Sequence, residues 1–412
     1  MKKLYDFWNA AKIPFRNIWR NRRRTSMTMA GIAIATLSLI LLGGYIQVMD
    51  MGLRENAISN QFGHFQIART GYFDAENTSF SYLMDENEFK ILEKRLYEIE
   101  GVDYVNYRLH ISGMIGNFKD STVFLGTAGL AEWEVFMSPS IIRGEPLSAA
   151  DPTGIVIGES MAEKLDIDIG STVLLFFASD AGTQEAVLAN IRGLYRGMFQ
   201  EQEANIIYIP LTTAWELMLE PRVHNLLVFL RDEQEMSEVI TEIEGFINKN
   251  QYDFEVKPWN ELAVYYKQIV SMFNGFLLVA GIIFFIIIIF NISNTMYMVI
   301  NERTREIGTL RAMGDSKAEI VRMLFGESFL MGIIGAVIGT LAAYLLIPVI
   351  NSLNLTLPPG PGQLERIPVQ LIFDVKVSAL IILTNIFIAS IASILPALRA
   401  AKIQIVDALR HV

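Results

Sequence analysis

The run IVSMFNGFLLVAGIIFFIIIIFNISNTMYMVI, residues 269–300, decides the fold, because none of its 32 side chains carries a charge. About 20 such residues cross a bilayer core of roughly 30 Å as one helix. At about 1.5 Å per residue the run would reach about 48 Å, so part of it should stand clear of the lipid. NERTREIGTLRAMGDSKAEIVR, residues 301–322, follows at once and is rich in charge. The two together predict a spanning helix with a rigid stalk and a charged elbow that turns the chain back into the membrane.

Three further apolar runs have spanning length, and 52% of the 412 residues are apolar. The sequence therefore predicts an integral membrane protein with four transmembrane α-helices. A large α+β extracytoplasmic domain of two subdomains is predicted between the first and second helices. The predicted divisions of the chain are an amphipathic segment 1–25, spans 26–48, 266–300 (with its stalk), 323–350 and 377–398, the large domain 49–265, a coupling segment 301–322, a short outer loop 351–376 and a tail 399–412.

The distribution of positive charge predicts the orientation. Residues 1–25 contain eight Lys and Arg against one Asp, and residues 301–322 contain five. By the positive-inside rule, both termini and the coupling segment face the cytoplasm, and residues 49–265 lie outside. The outer segment has 15 basic and 35 acidic residues, a balance of −20. Two interpretations stay open: a solvated domain surface, or attraction of a cationic partner or substrate.

Two periodicities alternate in the outer segment. Residues 87–100 repeat apolar side chains at helical spacing, whereas 101–116 alternate as a strand. A strand, a helix and a strand are predicted again at 223–230, 235–250 and 252–259. These flanks predict one α+β subdomain, with a mainly β subdomain inserted at about 131–220.

The motifs of several enzyme classes are missing. The chain contains no Gly-x-x-x-x-Gly-Lys-Ser/Thr phosphate loop, so it is expected to lack an ATPase site of its own. No metal site or cofactor is predicted, and the acidic balance speaks against nucleic acid. The four histidines are scattered and the chain has no cysteine. Glu327, near the end of the third span, is expected to pair with an arginine at the membrane interface.

Small residues in the third span indicate close helix packing. Gly332, Gly335 and Gly339 fall near one face of the predicted helix. Gly335-x-x-x-Gly339 permits close backbone approach, within the chain or between two copies.

The coupling segment has two interpretations on its residues alone. Ile307, Leu310 and Gly314 share a helical face, with Met313 beside them, and charged residues surround it. Such a helix can lie on the inner membrane surface, or it can insert into a groove of a cytoplasmic partner.

A family resemblance favours the second interpretation. REIGTLRAMGDSKAEIVRMLFGES (305–328), RNIWRNRRRTSMTMAGI (16–32) and LPALRAAKIQIVDALR (395–410) resemble MacB/FtsX-type ABC transporter permeases. GHFQIARTGYFDAE (63–76) and GIVIGESMAEKL (154–165) look like the lipoprotein-release branch with LolC and LolE. The resemblance covers the whole chain, including the order of the spans and the large domain.

The resemblance implies a permease that works by mechanotransmission. A second permease chain would complete the dimer, and two cytoplasmic ATPase subunits would bind ATP and Mg²⁺. It implies a cell inner membrane location, with extraction of a lipoprotein or lipid, and leaves room for a periplasmic or outer-membrane partner. Export of peptides or small amphiphiles, and FtsX-like regulation of a cell-wall hydrolase, are the alternatives. The residues implied in ATPase coupling are Arg303, Arg305, Glu306, Ile307, Gly308, Leu310, Arg311, Met313 and Gly314.

Two further expectations are specific enough for a structure to check. The helix of the second span should begin near Trp259 or Asn260, just after Pro258, and continue unbroken. Leu310 and Ile307 should be the apolar anchors of the coupling segment, while Arg305, Glu306 and Arg311 set its orientation.

Overall fold

The computed structural model describes residues 22–75, 80–117, 119–130, 141–148, 150–178, 184–196, 204–358 and 367–410. Most of the predicted amphipathic segment, up to residue 21, lies outside these ranges. The chain divides into two compact units. The membrane unit is Met1–Asp50, Ile269–Thr356 and Pro368–Val412; the inserted domain is Met51–Gln268 with Leu357–Ile367.

Within the described ranges, four helices are long and apolar enough to cross a membrane, as predicted. The first of these, α1, continues into a π-helical turn that ends at Phe62. The helices of the spans, the coupling segment and the tail are α1 Arg22–Asn56, α7 Val264–Glu302, α8 Thr304–Ala312, α9 Lys317–Ser352, α10 Val375–Ala392, α11 Ile394–Ala400 and α12 Ile405–Arg410. Two short strands, β13 Thr356–Leu357 and β14 Ile367–Pro368, pair with each other.

The long helix of the second span starts later than predicted. Pro258 does precede a helix, but that helix is a single turn, α6 Trp259–Leu262. Ala263 then leaves the helical region with ψ near 67°, and α7 runs unbroken for 39 residues from Val264. Trp259 and Ala263 are both buried in a small apolar cluster, which fixes this break in place.

The fourth span is broken near its end, which the sequence analysis did not predict. Pro396 has no N–H for the carbonyl of Ala392, and its ring crowds that carbonyl, so a regular helix cannot form this hydrogen bond. The chain stops α10 at Ala392 and resumes as α11 after Ser393. The Ala392 carbonyl instead accepts a hydrogen bond from Ser293 Oγ of α7 at 3.2 Å.

Polar contacts and small residues hold the spans together. Thr28 and Thr295 hydroxyls are 2.7 Å apart between α1 and α7, and Asn385 Nδ2 donates to Thr36 Oγ1 at 2.8 Å. Such bonds between buried groups are favoured in lipid, where water cannot replace them.

The three predicted packing glycines meet neighbouring helices of the same chain. A Cβ on Gly332 would lie 3.0 Å from Ala389 Cβ of α10. A Cβ on Gly335 would lie 2.8 Å from Ile32 Cβ of α1, and one on Gly339 would lie 2.8 Å from Thr36 Cβ. The structure therefore places all three against intrachain partners.

The inserted domain contains the helices and strands that the periodicities predicted. α2 buries Phe89, Leu92 and Leu96 on one face and starts with a capping box between Asp85 and Glu88. Its elements are β1 Phe65–Arg69, β2 Met84–Asp85, α2 Glu86–Tyr97, β3 Val102–Gly116, β4 Ser121–Gly129, β5 Ile141–Gly144, β6 Gly154–Gly158, α3 Glu159–Leu165, β7 Thr172–Ala178, β8 Gln184–Tyr195, β9 Ile206–Pro210, α4 Leu211–Met218, β10 Arg222–Val223, β11 Asn225–Leu230, α5 Met236–Asn250, β12 Phe254–Pro258 and α6.

One long strand joins the two halves of this domain. Ten of the strands form a sheet in the order β12-β1-β11-β3-β4-β9-β6-β8-β5, with β7 beside β3 and β8, and β2 pairs separately with β10. The first half of β3 pairs with β11, and its second half, from Leu109, pairs with β4. The predicted start of the β-rich subdomain at about 131 is therefore too late, because β4 and half of β3 already belong to its sheet. Because one 15-residue strand runs through both halves of the sheet, no turn in the sequence marks the boundary.

Candidate functional site

The coupling segment contains a short helix that connects two long ones. α7 ends at Glu302, and Arg303 turns the chain with φ −111° and ψ 12° before α8 begins. α8 ends after only nine residues, and α9 begins at Lys317. The segment predicted as 301–322 therefore ends at Ser316, since its last six residues are already the first turns of α9.

A buried ion pair fixes the entrance to α8. Arg303 Nη1 lies 2.8 Å from Glu327 Oε1 of α9, and its Nε lies 3.0 Å from Glu306 Oε2. The Arg303 and Glu327 side chains are 10% and 5% exposed. Burial alone would lower the pKa of Arg303, but the two carboxylates, Glu327 first, raise it above its usual value. The expected pairing of Glu327 with an arginine is confirmed, and the guanidinium stays charged.

The inner face of α8 packs against the tail of the same chain. Ile307 and Gly308 are buried. A Cβ on Gly308 would lie 2.6 Å from Ala408 Cβ of α12, so only glycine allows this approach. Arg311 Nη1 donates to the carbonyls of Ala401, at 3.0 Å, and Ile403, at 3.2 Å. These carbonyls follow the end of α11, where backbone acceptors lack helical partners and cations are favoured.

The turn after α8 is built from two helix-end motifs. Asp315 N–H donates to the carbonyl of Leu310, and Gly314 N–H to that of Arg311, the two bonds of a Schellman motif. Gly314 has φ +113°, a conformation that a side chain disfavours. Ser316 then caps α9 in a capping box with Glu319. Gly314 thus makes the turn and does not continue a helical face.

The outward face of the segment consists of a methionine among charged residues. Met313 is 71% exposed, and Arg305 and Glu306, near the start of α8, are exposed as well. Ile307, by contrast, is only 3% exposed, and Leu310 is half-buried against the core of the membrane unit. The prediction that Ile307 anchors a partner is wrong for this conformation, because its side chain is already occupied by the chain's own core.

The predicted residues thus divide into two sets. Arg303, Ile307, Gly308, Leu310 and Arg311 face inward, where they attach α8 to α9 and to the tail. The remaining four lie at the surface: Arg305, Glu306, Met313 and Gly314. This arrangement holds a small exposed surface on a fixed support and fits recognition of another protein.

Sequence reasoning missed the helix that supports α8. α12 packs along α8 through Ala408, which is 2% exposed. The pattern IQIVDALR does carry helical apolar spacing, and Ala408 is a small residue that could meet Gly308. Nothing in the local sequence, however, says that these two small residues face each other.

Comparison with known families gives two matches that together cover most of the chain. The MacB-like periplasmic core domain profile matches residues 25–246, more than half of the chain. The profile of the FtsX-like permease C-terminal family matches residues 278–405.

Curated relatives have names consistent with these profiles. An uncharacterized ABC transporter permease of Methanocaldococcus jannaschii is 25% identical over 361 residues, which cover 82% of this chain and 84% of the relative. The lipoprotein-releasing system transmembrane protein LolC of Xylella fastidiosa is 24% identical over 62% of this chain and 64% of its own length. The macrolide export ATP-binding/permease protein MacB of Nitrobacter winogradskyi is 21% identical over 97% of this chain and 60% of its own length. The chain therefore spans less than two thirds of LolC and of MacB.

Solved structures include the periplasmic region of MacB from Actinobacillus actinomycetemcomitans. It is 14% identical, with a TM-score of 0.39, and the match covers 53% of this chain and 95% of that one.

Proposed function

Because the chain belongs to the family of ABC transporter permeases with a MacB-like periplasmic core domain, we propose that it transmits motion from a separate ATPase subunit. One observation carries the proposal: α8 is fixed on its inner face by the Arg303–Glu327 pair and by α12, while Met313 stands exposed at its end. A helix attached in this way moves together with the spans that hold it. A push on its exposed end would therefore reach α7 and α9.

Lipoprotein or lipid extraction is the proposed task of this machine. The motifs at 63–76 and 154–165 and the likeness to LolC support it. Export of a peptide or small amphiphile is the second candidate, supported by the likeness to MacB over 97% of this chain. Regulation of a cell-wall hydrolase without transport is the third, supported by the FtsX-like match. Co-purification separates them: lipoproteins or lipids support the first, and a hydrolase partner supports the last.

The proposed assembly contains two permease chains and two ATPase subunits, which bind ATP and Mg²⁺ at the cytoplasmic face. This chain supplies no nucleotide site in the proposal. Its acidic inserted domain would face the periplasm, where a periplasmic or outer-membrane partner could meet it.

We expect Leu219 and Met313 to lie on opposite sides of the membrane. Both side chains are 71% exposed, and the chain has no cysteine, so Leu219→Cys and Met313→Cys each create a single thiol. The positive-inside rule places Met313 in the cytoplasm. In intact cells a membrane-impermeant maleimide should label the Leu219→Cys variant only, and in broken cells it should label both variants. Labelling of both variants in intact cells would contradict the orientation.

We expect Val270→Pro to interrupt mechanical transmission along α7. Proline inside a helix removes one hydrogen bond and costs about 3 kcal/mol or more. Val264→Pro is the matched control, because Val264 is the first residue of α7 and proline is tolerated at that position. Each proline is combined with Leu219→Cys, and maleimide labelling is followed with the ATPase present. Adding ATP should change the labelling rate in the Val264→Pro background and leave it unchanged in the Val270→Pro background. An equal nucleotide response in both would rule out a continuous helix as the route.

A further inference from the structure

A groove lies beside the coupling segment, between the start of α9 and the end of α11. Its volume is about 510 Å³. Apolar side chains of α9 and α11 form its floor, among them Val321, Phe325 and Leu398. The side chains of Lys317, Arg322 and Lys402 line it as well, so an apolar cleft has three cations around it.

The groove lies beyond the tight contact between α9 and α10. α9 and α10 pack tightly at Gly332, where a Cβ would lie 3.0 Å from Ala389 Cβ. Past Ser393 the chain continues as α11, which carries Leu398. The groove lies between the start of α9 and α11.

The positive charges around the groove favour binding of an anion. Lys317, Arg322 and Lys402 form no ion pair within the described ranges of the chain. Glu319 is near enough to Arg322 to be affected by its charge, but its carboxylate accepts hydrogen bonds from the N–H and hydroxyl of Ser316. Three positive side chains gathered at one cleft repel one another, and a bound anion removes that repulsion.

The floor of the groove is continuous with the apolar surface of a spanning helix. Phe325 and Phe329 are 36% and 41% exposed, and their rings stack with centroids 6.5 Å apart. Leu398 is 47% exposed on the opposite wall. From Lys317 to Phe325 the helix rises about 12 Å at about 1.5 Å per residue, so Phe325 lies further along the spanning helix than Lys317. The charged and the apolar parts thus follow the order of an amphiphile.

We propose that this groove binds an anionic phospholipid of the leaflet into which it opens. Its phosphate lies among Lys317, Arg322 and Lys402, and one acyl chain lies along Phe325 and Leu398. Basic pockets between spanning helices are favourable for such headgroups. The proposal goes beyond ATPase coupling and does not depend on it, since it requires only that the four helices span a bilayer.

The test is native mass spectrometry of the purified full chain with added lipid. Dioleoyl phosphatidylglycerol and dioleoyl phosphatidylcholine share their acyl chains and differ in net charge. We expect at least about tenfold tighter binding of phosphatidylglycerol, and loss of that preference in Lys317→Gln/Arg322→Gln/Lys402→Gln. The matched control is Lys249→Gln/Lys267→Gln/Lys376→Gln, which removes the same charge from exposed positions elsewhere and should keep the preference.

Two further arms identify the source of the anion. Leu398→Trp fills the groove and keeps all three cations, so it should weaken phosphatidylglycerol binding. In a separate competition on the wild-type chain, inorganic phosphate at the same concentration should not displace the lipid. Equal binding of the two lipids, or an equal loss in the triple variant and its control, would overturn the proposal. So would protection of Lys317→Cys from a thiol reagent by the ATPase subunit but not by phosphatidylglycerol, because the groove would then belong to the protein partner. Recovery of the ATPase with the triple variant is measured in parallel, so that a failure of coupling is seen separately.

Discussion

Replacing Glu327 by Leu should destabilise the membrane unit strongly, by about 3–5 kcal/mol, because it leaves a charged guanidinium without its buried partner. Arg303 Nη1 and Glu327 Oε1 are 2.8 Å apart, and both side chains are nearly inaccessible. The double variant Arg303→Met/Glu327→Leu should recover most of the loss, since an apolar pair of similar volume replaces a buried ion pair at little cost. The stability of each variant is measured by heating the purified chain and determining the fraction that remains folded at each temperature.

The exposed ion pair of Glu302, the residue before Arg303, supplies the control. Glu302 of α7 pairs with Arg24, and their side chains are 40% and 45% exposed. Glu302→Gln should change stability by no more than about 1 kcal/mol, because surface pairs contribute little. If Glu327→Leu were as mild as Glu302→Gln, the buried pair would not be what fixes α8 in place.

Replacing Met313 by Asp should release the ATPase while leaving the permease folded. Burying a side chain of this size contributes about 1.5–3 kcal/mol, which corresponds to roughly ten- to a hundredfold in affinity. An aspartate at this position would in addition bring an unpaired charge into the interface. Met313 is 71% exposed in the chain itself, so its replacement removes little of the permease's own packing. The measurement is the amount of ATPase recovered in a pull-down with tagged permease, which should be lower for Met313→Asp than for wild type.

Leu219→Asp is the matched control for this prediction. Leu219 is equally exposed, lies in the inserted domain, and has a positive φ that aspartate tolerates. It should retain the ATPase fully. Equal recovery with both variants would remove Met313 from the docking surface, and weaker membrane association of the segment with the ATPase still bound would favour a helix that lies on the lipid.

The spans could be predicted because lipid imposes a simple requirement on sequence. A run without charge, such as residues 269–300, has few alternatives to a spanning helix, and Glu327 at the edge of such a run requires a cation. Several elements of the inserted domain, among them α2 and β3, were predicted from periodicity; the buried residues of α2, for example, recur at helical spacing.

The direction of the coupling helix could not be predicted in this way. An amphipathic pattern shows that Ile307 will be buried, but it does not say whether the burying surface belongs to this chain or to a partner. The answer depends on α12, about 100 residues further along the chain, whose Ala408 meets Gly308. The same limit applies to Leu310: it packs partly on the chain's own core, so Leu310→Asp would damage folding as well as docking.

The break at Ser393 was missed for a different reason. Pro396 stands close to the end of an apolar run, where a proline is equally typical of a helix that has already ended. Only the structure shows that α11 continues after it and that Ser293 of α7 takes up the freed carbonyl.

Cross-linking from the exposed end of α8 tests the proposed coupling most directly. The chain has no cysteine, so Met313→Cys carries a single thiol to which a benzophenone maleimide can be attached in native membranes. On irradiation, the proposal predicts a cross-linked product that mass spectrometry identifies as this permease joined to an ABC ATPase subunit, and no such product from Leu219→Cys. Cross-links from Met313→Cys to lipid alone, with the ATPase present in the same membranes, would contradict it.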